Sequence, residues 1–214
     1  CIRNRSQQWV FRLIQEMKVS SSAHFVTLTY HPDRCPETPR GRLTLRKSDL
    51  KPFWKKLRRR EKTSKIRYYV VGEYGSKTQR PHYHAIIYNV ADIQSFHDLW
   101  DHGSVDIGTC TPDSIGYTAG YVQKGKIIPA YEGDDRQPEF SHMSNGLGAN
   151  YLTPQIIRYH RSDLRRNYVT LESGVKVPLP RYYRDRIYNE DQLKVLRMYI
   201  QNENHDNEIG RAHV

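Results

Sequence analysis

The sequence predicts an α+β fold, a central and largely antiparallel β-sheet with helices packed on it. Two stretches place apolar residues at helical spacing, several segments are rich in β-branched and aromatic residues, and two of those segments join through a turn-rich connection as a hairpin. Strands separated by helices, with a hairpin among them, sort into this class.

At 214 residues the chain suits one domain with extensions around one compact core. Its formal net charge of +11 and pI near 9.6 direct it to polyanions, nucleic acid first and acidic membrane surface second. No apolar run approaches the roughly 20 residues that cross a bilayer. No signal-peptide pattern occurs, so a soluble intracellular protein is expected; the chain begins at Cys1 and its true start is expected upstream. Cys1, Cys35 and Cys110 form neither a disulfide framework nor a complete zinc knuckle. Sixteen tyrosines in a basic chain can stack on unpaired bases, although tyrosine also fills half-buried strand faces.

In chain order, Trp9, Val10, Leu13, Ile14 and Met17 make an amphipathic helix of Gln7–Val19. His24–Tyr30 is a strand, ended by His31-Pro32-Asp33, and a Pro- and Arg-bearing loop follows. The next helix should start near Ser48, capped by its hydroxyl with Asp49 in the first turn, and bury Leu50, Phe53, Trp54 and Leu57. From Lys51 to Arg67, nine cations stand against the one acid Glu61. Such a run is often a solvated face, yet this imbalance also suits phosphate contact. Lys55, Lys56, Arg58, Arg59 and Arg60, with Arg80 further on, are the candidate DNA-binding residues.

Ile66–Tyr74 and His82–Tyr88 read as the hairpin, joined by the residues from Gly75 to Pro81. Alternation puts His82 and His84 on one face and Tyr83 on the other. Glu73 can lie opposite or diagonal to either histidine, with Cβ atoms about 4.5 to 8 Å apart. Two imidazoles and a carboxylate make a candidate divalent-metal site; two structural histidines beside a solvated Glu is the plainer alternative.

Asp92–Trp100 suggests a short helix and Gly103–Gly108 a strand. In the stretch 114–124, a helix capped by Asp113 or Ser114 would set Tyr117, Tyr121 and Lys124 on one face. Two core tyrosines and a solvated lysine would show the same spacing. Gly116 and Gly120 weaken this helix or admit a close backbone approach. A phenol has a pKa near 10 and needs local activation to act as a nucleophile. Lys124 could stabilise a phosphate or the phenolate.

Further on, 139–148 reads as a Gly-bearing surface loop, Tyr168–Pro178 as a hairpin turning at Ser173-Gly174, and Asp191–Gln201 as a final helix. Arg158, Arg161, Arg165 and Arg166 form a second basic cluster. The polar tail ends in Ile209–Val214, similar to a translated sequencing adapter and expected to be extraneous.

Arg80-Pro81-His82-Tyr83-His84, preceded by Gly72-Glu73-Tyr74-Gly75, resembles the His-hydrophobe-His motif of HUH endonucleases, and more closely the replication initiators of microviruses. Phe25–Tyr30 is similar to the family's first motif. Tyr121 followed by Lys124 resembles its Tyr-x-x-Lys, and Tyr117 matches the two-tyrosine arrangement. The resemblance implies an HUH-like α+β domain over 1–188, followed by a C-terminal helix and tail over 189–214. It implies Mg²⁺ or Mn²⁺ at Glu73, His82 and His84, and rolling-circle nicking of single-stranded phage origin DNA by one tyrosine, with closure by the other. Host helicase and polymerase would be partners, in the host cytoplasm. A non-catalytic, basic single-strand-binding protein is the alternative; a phosphodiesterase that uses water is a weaker one.

Overall fold

In the computed structural model the described residues are 2–62, 65–75, 78–91, 93–121 and 128–212. They fall into two compact units, Cys1–Gly148 and Ala149–Val214.

The first unit is built on five antiparallel strands. These are β1 (Ala23–Tyr30), β2 (Arg67–Tyr74), β3 (Pro81–Tyr88), β4 (Gly103–Thr109) and β5 (Phe140–Met143), in the order β4-β1-β3-β2-β5. The hairpin pair is therefore central, which explains why β2 and β3 read as nearly continuous apolar runs. Both of their faces are covered. On one face Leu28, Val70, Tyr83 and Ala85 pack with Leu50, Phe53, Trp54 and Leu57 of α2 (Leu50–Arg60). On the other, Tyr69, Val71, Ile86 and Tyr88 pack with Leu13 and Ile14 of α1 (Ile2–Val19) and with Ile115 and Ala119 of α3 (Pro112–Gly120).

Several boundaries differ from expectation for identifiable reasons. α1 starts earlier, at Ile2. Ser48 does not cap α2: Lys47–Asp49 forms a 3-10 turn, and the Asp49 carboxylate accepts the hydroxyl of Tyr30 at 3.0 Å instead. Ile93–Leu99 is 3-10 rather than α-helical. α3 is capped by Thr111, whose hydroxyl accepts Ser114 N–H while the Ser114 hydroxyl accepts Thr111 N–H, so Tyr121 becomes the residue after the helix. The predicted loop 139–148 contains β5, paired to β2 through Tyr69↔Met143 and Gly72↔Phe140. Gly72 gives room for this: a Cβ there would meet the Phe140 ring at 2.9 Å.

The second unit holds α4 (Pro154–Ser162), the hairpin β6–β7 (Tyr168–Thr170 and Lys176–Pro178), α5 (Arg181–Ile187) and α6 (Glu190–Ala212). The turn is where the sequence placed it, with Gly174 at φ +78°. α6 continues past Gln201, through the stretch expected as a polar tail. Among the described residues no helix is long and apolar enough to cross a membrane.

Candidate metal and nucleophile site

Strand register assembles the site. β2 and β3 pair Glu73 with His82 and Val71 with His84, so Glu73 lies opposite one histidine and diagonal to the other on a single face. Oε1 of Glu73 is 2.6 Å from His82 Nε2 and 3.1 Å from His84 Nε2. One ligand atom from each residue fits within 4.8 Å of the others, with Glu73 and His84 buried.

The remaining ring nitrogens fix how the imidazoles present themselves. His82 Nδ1 lies 3.0 Å from the carbonyl of Arg80, which can only accept, so Nδ1 carries the proton. Neutral His82 then turns the lone pair of Nε2 toward a carboxylate oxygen. Two acceptors at 2.6 Å require a cation between them, a proton or a metal ion, and the donor set fits a divalent ion with open positions. His84 is held in the same manner by Thr27 Oγ1, 3.0 Å from its Nδ1. Burial opposes ionisation of Glu73, but hydrogen bonds from His82 and His84 outweigh it and hold the carboxyl at about 2.

Both tyrosines reach this cluster. The Tyr121 ring stacks on His84, with centroids 5.2 Å apart and planes 7° from parallel. Tyr117 meets the same imidazole edge-on at 5.5 Å and Phe25 at 6.2 Å. The Tyr121 hydroxyl donates to that of Tyr117. Burial raises the Tyr121 pKa above the ordinary phenol range, and the bond to Tyr117 and the Glu73 charge push the same way. Tyr117 is 52% exposed, so an incoming strand meets it first. Lys124 lies outside the described residues.

The expected DNA contacts do not gather here. Arg80 directs its guanidinium to the Tyr30 carbonyl, and its own carbonyl serves His82 and the Gly75 N–H. Lys55, Lys56, Arg58, Arg59 and Arg60 belong to α2, on the opposite sheet face. There Lys56 Nζ lies 2.6 Å from Asp101 Oδ1, and the Arg58 guanidinium sits over the Tyr68 ring at 5.9 Å. Arg67 leaves the cationic run altogether, because it faces α1 and pairs with Glu16 at 2.9 Å. Sequence reading missed Thr27 and Phe25, although alternation along His24–Tyr30 puts both on one face.

An antiparallel sheet that carries a Glu-His-His cluster under two tyrosines defines the class, an α+β protein with a metal-type donor set beside phenolic nucleophile candidates. Residues 23–126 match the family described as replication-associated protein ORF2. The chain is 31% identical over 208 residues to replication-associated protein VP4 of Bdellovibrio phage phiMH2K, covering 86% of this chain and 64% of that protein. It is 30% identical to replication-associated protein ORF2 of Spiroplasma virus 4, covering 94% and 69%, and 27% identical to replication-associated protein ORF4 of Chlamydia phage 1, covering 89% and 53%. The chain belongs to this family of phage replication-associated proteins, of the microvirus type. It spans between about half and just over two thirds of these curated relatives. No solved structure matches it.

Proposed function

We propose that the chain is a rolling-circle replication initiator of the HUH endonuclease class, which nicks single-stranded phage origin DNA and transfers the strand through tyrosine. The observation that carries this is the convergence of His82 Nε2, His84 Nε2 and Glu73 Oε1 beside the stacked rings of Tyr117 and Tyr121. Glu73, His82 and His84 would hold Mg²⁺ or Mn²⁺, which when bound polarises the phosphodiester as a Lewis acid.

In the nicking step a phenolic oxygen of Tyr117 or Tyr121 bonds to phosphorus as the P–O3′ bond breaks. The phenol loses its proton, O3′ leaves and takes one up, and the 5′ phosphate stays on the enzyme as a phosphotyrosine ester. The raised pKa of Tyr121 means that this phenol is not ionised in the resting site. Its proton must leave during attack. The second tyrosine then attacks the regenerated origin, which frees the first strand for closure. Lys124 is assigned to phosphate or phenolate stabilisation. The nicking domain is taken as 1–188, acting in the host cytoplasm with host helicase and polymerase.

The test is covalent chemistry. The protein is incubated with Mn²⁺ and labelled single-stranded DNA containing the phage origin, then resolved on a denaturing gel. An adduct that requires metal, His82 and His84, and disappears in the Tyr117→Phe/Tyr121→Phe double variant, is the expected outcome. Binding without an adduct would leave a basic single-strand-binding protein; cleavage without an adduct would point to water as the nucleophile.

A further inference from the structure

The sheet separates two surfaces of different chemistry. Along α2 and the residues after it, Lys51, Lys55, Arg58, Arg59 and Lys62 are exposed. Glu61, the one acid among residues 51–67, is turned inward, where it accepts the Ala91 N–H at 2.9 Å. The aromatic residues of α2 face the same way, with Phe53 and Trp54 only 1% and 5% exposed. The outer face of α2 therefore offers cations and no ring on which a base could stack. Its acidic neighbours are Asp101, paired with Lys56, and Asp98. Asp98 borders a recess of about 350 Å³ that is also lined by Lys56, Arg59, Arg60 and Leu99.

The opposite face is the reverse case. There Tyr117 is half-exposed beside Tyr121, Phe25 and His84, rings that unpaired bases can stack on. Proteins that hold single strands combine such rings with cations, whereas a duplex keeps its bases inside and presents phosphates. Lys51, Lys55 and Arg59 recur every four residues, so they line one side of the helix over about 12 Å. Against that length a duplex sets about one charge per 1.7 Å of its axis.

We infer that the outer face of α2 is a docking surface for the phosphate backbone of duplex DNA, on the far side of the sheet from the Glu73-His82-His84 cluster. The identity of the polyanion rests on the replication reading above; the separation of the faces rests on sheet register and packing alone. On this arrangement one molecule holds a duplex on α2 while its other face remains free for a single strand.

The full chain is titrated with a labelled blunt duplex of arbitrary sequence across a range of salt, for wild type and the exposed double variant Lys55→Glu/Arg59→Glu. The variant should bind the duplex about tenfold or more weakly, and its log–log salt slope should be shallower by about 1.8, the loss of two phosphate contacts. Lys55→Arg/Arg59→Lys should bind as wild type does. Unlabelled single-stranded oligonucleotide should then join the wild-type duplex complex without displacing the duplex. Unchanged duplex affinity in the charge-reversed variant would overturn the inference, as would stoichiometric displacement by the single strand. So would a variant that loses anionic vesicles but keeps the duplex. A protein that forms no DNA adduct but passes these tests would sink the nicking assignment and leave the docking surface standing.

Discussion

Thr27 Oγ1 lies 3.0 Å from His84 Nδ1, because β1 and β3 place the two residues directly opposite each other. The hydroxyl accepts the Nδ1 proton and thereby leaves Nε2, the nitrogen aimed at Glu73, with its lone pair. Partners of this kind set ring orientation and ligand basicity, and their loss typically costs 10–100-fold in metal affinity. Thr27→Val keeps the shape and removes the hydroxyl. Mn²⁺ titration by calorimetry should show a loss of about that size, with Thr27→Ser restoring much of it; wild-type affinity in Thr27→Val would remove Thr27 from the site.

A second prediction separates the nucleophiles from the metal ligands. The reciprocal bonds between Thr111 and Ser114 start α3, the helix that carries Tyr117 and delivers Tyr121 at its end. Thr111→Ala should destabilise this helix by about 1 kcal/mol. Adduct formation should slow while Mn²⁺ affinity stays unchanged, since Glu73, His82 and His84 stand on β2 and β3. A parallel fall in both would mean that α3 also shapes the metal cluster.

Glycines give a pair of opposed expectations. A Cβ at Gly116 or Gly120 would meet nothing within 4 Å, so alanine at either position should stabilise the protein, by up to about 1 kcal/mol, through helix propensity. A Cβ at Gly103 would collide with the Thr29 carbonyl and the backbone of Tyr30 and His31. Gly103→Ala must therefore push β4 from β1 and lower the melting temperature. Thermal unfolding of the three single variants decides this, and equal shifts in the same direction would refute it.

The same contrasts show what was legible in the sequence. The hairpin, the helix stripes and the shared face of His82 and His84 follow from local periodicity, which a single segment carries by itself. Partners distant in the chain were not legible. Asp49 is drawn from capping by Tyr30, 19 residues away, and Arg67 leaves the basic run for Glu16, 51 residues away. β5 is short and half-polar, and only β2 makes it a strand. That α2 and the tyrosine helix cover opposite faces is likewise a matter of register. The start of α4 was different: Thr153 followed by Pro154 is a helix-entry signal that the chain states locally.

The last prediction concerns the second unit, where His160 is fully buried. Its Nδ1 lies 2.6 Å from the Arg166 carbonyl, and Nε2 lies 2.9 Å from the Tyr151 hydroxyl. Nδ1–H therefore donates to the carbonyl and Nε2 accepts from the phenol, which satisfies the neutral ring at both nitrogens. Burial pushes its pKa below the ordinary histidine value; the bond to the Arg166 carbonyl opposes this, and the Arg166 charge adds to it. The unfolded chain takes up a proton near pH 6.5, where the folded site still refuses it. The stabilising contribution is thus complete above about pH 6.5 and is lost as pH falls toward the depressed folded value. Hydrogen exchange of α4 and α5 should show protection decreasing on acidification through that window. In His160→Gln, whose amide can donate to the carbonyl and accept from the phenol, that pH dependence should flatten; an unchanged slope would place its origin in another residue.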